Sequence, residues 1–398
     1  MIRHLFKLIW NRKRSNFLMI LEVFFSFLVL FGVCSLLISF YINYKKPVGI
    51  AYENIWVLNA QAHDIPELEK RQRLEQMVKR LDALDEVEYV AIGSENGPYT
   101  RNTWNSGLLY NNKEVIANMV YVQHDAFKDV MGLEMVEGRW FTENDASSNQ
   151  EPIILTLDAK EQLFGDEPAV GKKVTMGHMP GDPIIEKKVV GVVEAYKPGG
   201  ELESMGESYF LRTTLADTAQ QSHSMIYIRV KPGTSPVFEQ RILDQVSGAG
   251  PSWTLNLQMM PDLRTSYLKQ SLSPVITLLI VCGFLILNVA LGLFGVLWQS
   301  INKRYSEIGL RRALGATSGN VYKQFLGEIL VVATFGLLLG CFFAVQFPLL
   351  GVFDFPAQIY TTAIIVSVLL IYALVILCAI YPSRQAAAIH PATALHEE

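Results

Sequence analysis

The sequence predicts a membrane α-helical protein with four transmembrane helices and an α+β extracytoplasmic domain. That domain reads as a split ferredoxin-like layer, βαβ…βαβ, with a mostly β subdomain inserted. Three observations carry the prediction. Half of the 398 residues are hydrophobic and only 18% are charged, where an ordinary soluble chain carries about 25% charged residues. Four apolar runs are long enough to cross a bilayer. Charge is also distributed unevenly: residues 43–272 hold 23 basic and 32 acidic residues, and the remainder holds 11 and 6. The total net charge of −4 gives no reason to expect nucleic acid.

A hydrocarbon core about 30 Å thick needs roughly 20 apolar residues of helix, because unpaired backbone groups are too costly there. The runs are 17–41, 275–298, 329–350 and 359–381. The first follows a basic cluster but is too long for a cleaved leader and lacks a small-x-small cleavage site, so it reads as an uncleaved signal anchor. Lys and Arg are retained on the cytoplasmic side in short flanks. Arg3, Lys7, Arg12, Lys13 and Arg14 precede the first span, and Lys303, Arg304, Arg311, Arg312 and Lys323 lie between the second and third. The 351–358 turn carries only Asp354, and Arg384 follows the last span. These counts place both termini in the cytoplasm and 42–274 outside. Within residues 1–16, Ile2, Leu5, Phe6 and Ile9 recur at helical spacing among basic residues, which fits either an amphipathic helix in the headgroup layer or a plain topogenic charge cluster.

In the outer domain, Ile55 to Leu58 reads as a strand, Ile65 to Leu84 as a helix and Val87 to Ile92 as a strand. The order returns at Met225 to Val230, Pro236 to Val246 and Ser252 to Met259. Residues 42–96 and 222–260 would thus form a porter-like α/β layer, split by an inserted 97–221 subdomain with β-like runs at Ile153 to Leu157 and Val189 to Val193. Residues 261–274 read as a polar helical stalk, with Pro274 bending its join to the second span. Such a stalk either transmits movement or serves as a passive spacer.

Several chemistries are missing from the sequence. No GxxxxGK[ST] loop occurs, so ATP hydrolysis is not expected of this chain. Seven dispersed histidines give no HExxH or paired ligand spacing, and no GxSxG elbow is present. No cofactor, metal or catalytic residue is expected. Cys34, Cys282, Cys341 and Cys378 all lie in apolar runs and read as small buried hydrophobes. Inside the spans Glu22, Asn288 and Gln346 stand out as polar residues, and Glu328 sits at the cytoplasmic edge. They do not make an ion or proton path.

The loop at 299–328 carries the strongest functional signal. As a helix, Lys303 to Thr317 places Glu307 four residues before Arg311, a stabilising orientation. It also exposes Ile308, Leu310 and Leu314 beside a basic face. Gly315 can stop the helix in a left-handed conformation, and Thr317 or Ser318 can cap the next one. A short amphipathic helix of this kind is a docking surface for another protein, or else an interfacial helix on anionic lipid.

The run Glu307-Ile308-Gly309-Leu310-Arg311-Arg312-Ala313-Leu314-Gly315-Ala316-Thr317, with Gln324-Phe325-Leu326-Gly327-Glu328 after it, resembles the cytoplasmic signature of MacB/FtsX-like ABC transporter permeases. Tyr381-Pro382-Ser383-Arg384-Gln385-Ala386-Ala387-Ala388-Ile389-His390-Pro391-Ala392-Thr393-Ala394-Leu395 is similar to that family's tail in 382–398, with Pro382, Arg384, Pro391 and Leu395 matching. Gln385 and His390 stand where the family often has a basic and an acidic residue. Gly132 to Thr142, Leu163-Phe164-Gly165 and Val170-Gly171-Lys172 resemble the MacB-type periplasmic core.

The resemblance implies a permease subunit of the bacterial inner membrane that lacks catalysis of its own. It implies two copies of a separate ABC ATPase subunit, a second permease copy or paralogue in a dimer, contact with membrane lipid and, in some members, a periplasmic adaptor or outer-membrane channel. Arg304, Glu307, Ile308, Gly309, Leu310, Arg311, Arg312, Leu314, Gly315, Ala316 and Thr317 would couple to the ATPase. The output would be export or efflux by mechanotransmission. Lipoprotein release and non-transporting regulation of a sensor kinase or wall hydrolase are the alternatives.

Overall fold

Two units make up the computed structural model, which describes residues 13–147, 150–176, 185–203, 206–213, 224–249, 252–352 and 355–389. One unit comprises Met1–Tyr41 with Leu272–Glu398, the other Ile42–Ser271. The first described helix is α1 (Lys13–Tyr44). It is followed by β1 (Ile55–Ala62), α2 (Glu67–Asp82), β2 (Val87–Gly93), β3 (Asn105–Tyr110), β4 (Lys113–Val122), α3 (Phe127–Met131) and β5 (Met135–Gly138). Next come β6 (Pro152–Thr156), α4 (Leu157–Phe164), β7 (Lys173–Met176), β8 (Glu186–Val193), β9 (Ser208–Arg212), β10 (Met225–Val230), α5 (Phe238–Val246) and β11 (Trp253–Met259). The remaining helices are α6 (Met260–Asn302), α7 (Tyr305–Ala313), α8 (Ser318–Ala344), α9 (Gln346–Leu349) and α10 (Ala357–Ala387).

In the 42–271 unit, β11, β1, β10 and β2 lie side by side with every neighbouring pair antiparallel. This is the strand order of a ferredoxin-like layer, with everything between β2 and β10 inserted. Both faces of the layer are covered, which is why Ile55 to Leu58 reads as a continuous apolar run rather than an alternation. Trp56 and Leu58 face α2 and α5 through Leu74, Leu81, Phe238 and Ile242. Ile55 and Val57 enter a second core with Phe127, Met131, Trp140, Tyr196 and Phe210.

The inserted strands do more than form a β subdomain. β4 pairs with β3, then β7, β8, β6 and β9 follow in order, and β9 returns to pair with β4 in parallel. Six strands therefore close on themselves, which removes their free edges. A core of Leu108, Val115, Ile153, Leu155, Val189, Tyr209 and Leu211 is completed by Ala159, Leu163 and Phe164 of α4. The closing pair joins Asn118 to Ser208 and Val122 to Arg212. No local sequence pattern announces a contact over that separation.

Among the described residues, four helices are long and apolar enough to cross a membrane: Phe17–Tyr44, Met260–Asn302, Ser318–Leu349 and Ala357–Ala387. Their shared core holds Val23, Phe27 and Phe31 of α1, Val289 and Leu293 of α6, Ala333 and Leu337 of α8, and Tyr360 and Ile371 of α10. Gly336 and Gly340, four apart on α8, let α1 approach closely. A Cβ on Gly336 would lie 2.8 Å from Val23 Cγ1, and one on Gly340 would collide with the Phe27 ring. Packing against small residues replaces the hydrophobic drive that lipid cannot supply.

The helix that contains the 329–350 run starts at Ser318, after the Thr317 cap, and the chain turns after Ala344 before the short α9. Pro274 lies inside α6, which is helical on both sides of it. Cys34 and Cys282 are buried, Cys341 and Cys378 are half-buried, and all four are free thiols. The amphipathic pattern at Ile2 to Ile9 lies outside the described residues.

Candidate functional site

The site is the turn from α6 through α7 into α8, together with the end of α10. α6 stops at Asn302, and Arg304 takes a non-helical conformation (φ −113°, ψ 17°) before α7 starts. At the other end, Gly315 has φ +98°, a left-handed geometry that a Cβ disfavours. The Ala316 amide donates to Arg311 O (3.0 Å) and the Gly315 amide to Arg312 O (3.1 Å). This 6→1 and 5→2 pair is the Schellman arrangement, which satisfies carbonyls left over at the helix end. Thr317 then starts α8: its hydroxyl accepts from the Asn320 amide at 3.3 Å. The Gly-Ala-Thr sequence thus separates the end of one helix from the start of the next.

Residues on α7 separate into two sets. Leu310 and Leu314 are 51% and 80% exposed. Ile308 differs from expectation: it is 4% exposed and packs with Ile301, Val321, Phe325, Ala386 and Ile389. Gly309 beside it is also buried. The exposed apolar surface here is therefore Leu310 and Leu314, and Ile308 is the residue that seats the helix. Sequence periodicity assigns both sets the same apolar character, and only the packing of Ile308 against α6, α8 and the end of α10 tells them apart.

The basic residues are likewise divided. Arg311 Nη2 meets Glu307 Oε1 at 2.5 Å, and its Nη1 donates to Gln324 Oε1 at 3.0 Å. Arg312 donates to Ser318 Oγ (2.6 Å) and to the carbonyl of Ala387 at the end of α10. Arg304 is turned inward with its side chain 8% exposed, and donates to Glu328 Oε1 and Oε2 at 2.9 and 3.1 Å. Its guanidinium stands 5.9 Å from the Phe325 ring centre. The Arg304 and Glu328 pairing spans 24 residues and has no local signature in the sequence.

On α10, Pro382 and Ser383 are buried and Arg384 is exposed. Arg384 lines an open groove of about 550 Å³ with Ser318, Gly319, Tyr322, Ala387 and Ala388. Ala316 is half-buried. Pro391 and Leu395 lie outside the described residues. No cluster of His, Cys, Asp or Glu able to hold a metal occurs among the described residues.

A second polar cluster occupies the loop between β8 and β9. The Lys197 amide donates to Val48 O (3.0 Å), and its buried Nζ donates to Asn43 O at 2.9 Å. Arg264, near the start of α6, donates to Glu201 Oε1 at 2.6 Å and stacks 4.6 Å from the Tyr52 ring centre. Glu203 Oε2 accepts from the Gly199 amide at 2.6 Å. Burial pushes the Glu203 carboxyl up to about 7, against the smaller opposing effects of that amide and of Lys197. One loop thus grips the last turn of α1, the segment after it and the first turns of α6. The sequence does not single it out, because Gly, Pro and Glu in a turn look like ordinary loop composition.

Comparison with known proteins gives two family matches: a MacB-like periplasmic core domain over residues 17–244 and an FtsX-like permease C-terminal region over residues 279–391. A "Macrolide export ATP-binding/permease protein MacB" of Chromobacterium violaceum is 27% identical over 301 residues, covering 73% of this chain and 45% of that protein. The protein of the same description from Neisseria gonorrhoeae is 25% identical over 333 residues, covering 79% and 49%. The chain spans about half the length of these relatives. Among solved structures, the periplasmic region of MacB from Actinobacillus actinomycetemcomitans aligns with a TM-score of 0.38 at 18% identity, covering 55% of this chain and 94% of that one. The extracellular domain of the noncanonic ABC-type transporter YknZ from Gram-positive bacteria gives 0.35 at 18% identity, covering 51% and 100%.

Proposed function

Since the chain belongs to the family of MacB-like and FtsX-like permeases, we propose that it is the transmembrane subunit of an ABC transporter of the export or efflux type, driven by ATP hydrolysis in a separate subunit. The observation that carries this reading is α7 itself: a short helix, stopped sharply at both ends, seated by Ile308 and presenting Leu310 and Leu314 with Arg311 beside them. In this reading, α7 lies on the cytoplasmic side and docks in a cleft of the ATPase. Two permease chains and two ATPase subunits make the working assembly, and both termini are cytoplasmic. Closure of the ATPase pair moves the spanning helices, and α6, one unbroken helical assignment from Met260 to Asn302, carries the movement to the 42–271 unit. The spans give a hydrophilic cargo little to follow. Glu22, for instance, lies against Gly292 of α6, where a Cβ would sit 2.6 Å from its Oε2, and not in a polar file.

Leu310→Glu with Leu314→Glu is the direct test. Both side chains are more than half exposed, so the fold should tolerate the change. The expected result is an unaltered amount of chain in the membrane and loss of the ATPase that co-purifies with the wild type. Full retention of the ATPase would reject the docking role of α7.

A further inference from the structure

Glu328 belongs to α8, and the structure joins it to α7 by a closed polar circuit. Arg304, immediately before α7, donates to both oxygens of Glu328 at 2.9 and 3.1 Å. Gln324, one turn earlier on α8, donates to Glu328 Oε1 at 3.2 Å and accepts from Arg311 at 3.0 Å. Arg311 closes on Glu307 at 2.5 Å. Residues flanking and within α7 are therefore tied at two points to one face of α8, because positions 324 and 328 lie one above the other on a helix.

We propose that Glu328, with Gln324, is a positioning residue for the docking helix: it fixes the direction in which α7 points and routes load from α7 into α8. Arg304, a non-helical residue between α6 and α7, is the point at which Glu328 acts. The turn at Gly315, the Arg312 contacts and the packing of Ile308 fix where α7 sits, and the Arg304–Glu328 and Arg311–Gln324 contacts add a directional constraint along one face of α8.

Not every contact in the circuit counts equally. The Glu307 and Arg311 side chains are 48% and 49% exposed, so water screens that pair. Arg304 and Glu328 are 8% and 16% exposed. A buried ion pair adds little net stability over apolar groups of the same shape, but it enforces one arrangement, because any other leaves a charge without a partner. At the root of a lever, that selection of a single orientation is what the geometry provides. Ile308 and Phe325 would hold α7 against the bundle without it, but apolar contacts are non-directional.

This inference rests on the docking role of α7, and the test separates the two. The full chain, reconstituted in nanodiscs, is compared as wild type, Glu328→Gln and the exchanged pair Arg304→Glu with Glu328→Arg. Amide hydrogen exchange over Tyr305–Ala313 is measured without any ATPase, and chain-dependent ATP hydrolysis is measured with the ATPase that co-purifies with the wild type. Glu328→Gln should speed exchange about tenfold and cut chain-dependent hydrolysis about tenfold with the ATPase still bound, since Leu310 and Leu314 are untouched. The exchanged pair should recover both to within about threefold. Wild-type exchange in Glu328→Gln overturns the anchor. Faster exchange with undiminished coupling overturns the positioning role and leaves a structural one. If no ATPase co-purifies even with the wild type, the docking reading fails while the exchange data still decide whether Glu328 pins α7. Should Glu328→Gln not accumulate, Gln324→Ala removes the other half of the circuit and is expected to speed exchange about threefold.

Discussion

Gly309→Pro combined with Arg311→Glu is expected to abolish coupling between ATP hydrolysis and export while leaving insertion of the chain intact. α7 has nine residues, too few to be stable outside its packed setting. Proline at 309 removes the amide that bonds back to Tyr305 and drives its ring against that carbonyl, at a cost of about 3 kcal/mol in a helix interior. Arg311→Glu removes the contacts to Glu307 and Gln324. It also sets two carboxylates four residues apart and puts negative charge at a helix C-terminus, both unfavourable. The insertion signal is untouched, because four apolar helices remain. The measurement is ATP-dependent cargo export in membrane vesicles, beside the amount of integral membrane protein recovered.

Glu203→Gln is expected to change how stability depends on pH. The Glu203 carboxyl is raised from 4.5 to about 7 by burial, so the folded chain holds this proton more tightly than the unfolded chain. Its contribution is therefore fully present below about pH 4.5 and is lost as pH rises through 7, which is the reverse of a salt-bridged carboxylate. Each tenfold gain in proton affinity is worth about 1.4 kcal/mol, so the full excursion is on the order of 3 kcal/mol. Gln keeps an oxygen for the Gly199 amide, which lies 2.6 Å away in the parent, and carries no charge. Thermal unfolding of the full chain in detergent should show the variant equal to the parent near pH 4.5 and progressively more stable up to pH 8. A stability difference that does not vary with pH would show that Glu203 does not titrate in this window. The consequence falls on the loop that holds Lys197 to Asn43 and Glu201 to Arg264.

Elements governed by local physics were legible in the sequence. The β1–α2–β2 and β10–α5–β11 stretches follow apolar periodicity, and Gly315 and Thr317 follow backbone chemistry, since few other residue types accept φ +98° or supply a capping oxygen. What depends on long-range pairing was not legible. Closure of the six strands through β4 and β9 is set by which strand pairs with which, and nothing in the local apolar pattern of either strand records it. The inward turn of Arg304 depends on Glu328, a residue that by position alone reads as a charge at the membrane edge. Ile308 illustrates the same limit on a smaller scale: an apolar residue on an amphipathic helix faces either a partner or its own bundle, and distant residues of α6, α8 and α10 decide which.

The sidedness of the chain is open to a direct measurement. All four native cysteines lie within the spanning helices, so Leu310→Cys and Gln150→Cys introduce thiols at well-separated places. In intact cells with a permeabilised outer layer, a membrane-impermeant maleimide should label residue 150 and leave residue 310 unlabelled until the membrane is broken. Equal labelling of both residues in sealed cells would contradict the claim that α7 receives a push on one side of the bilayer and the 42–271 unit delivers it on the other.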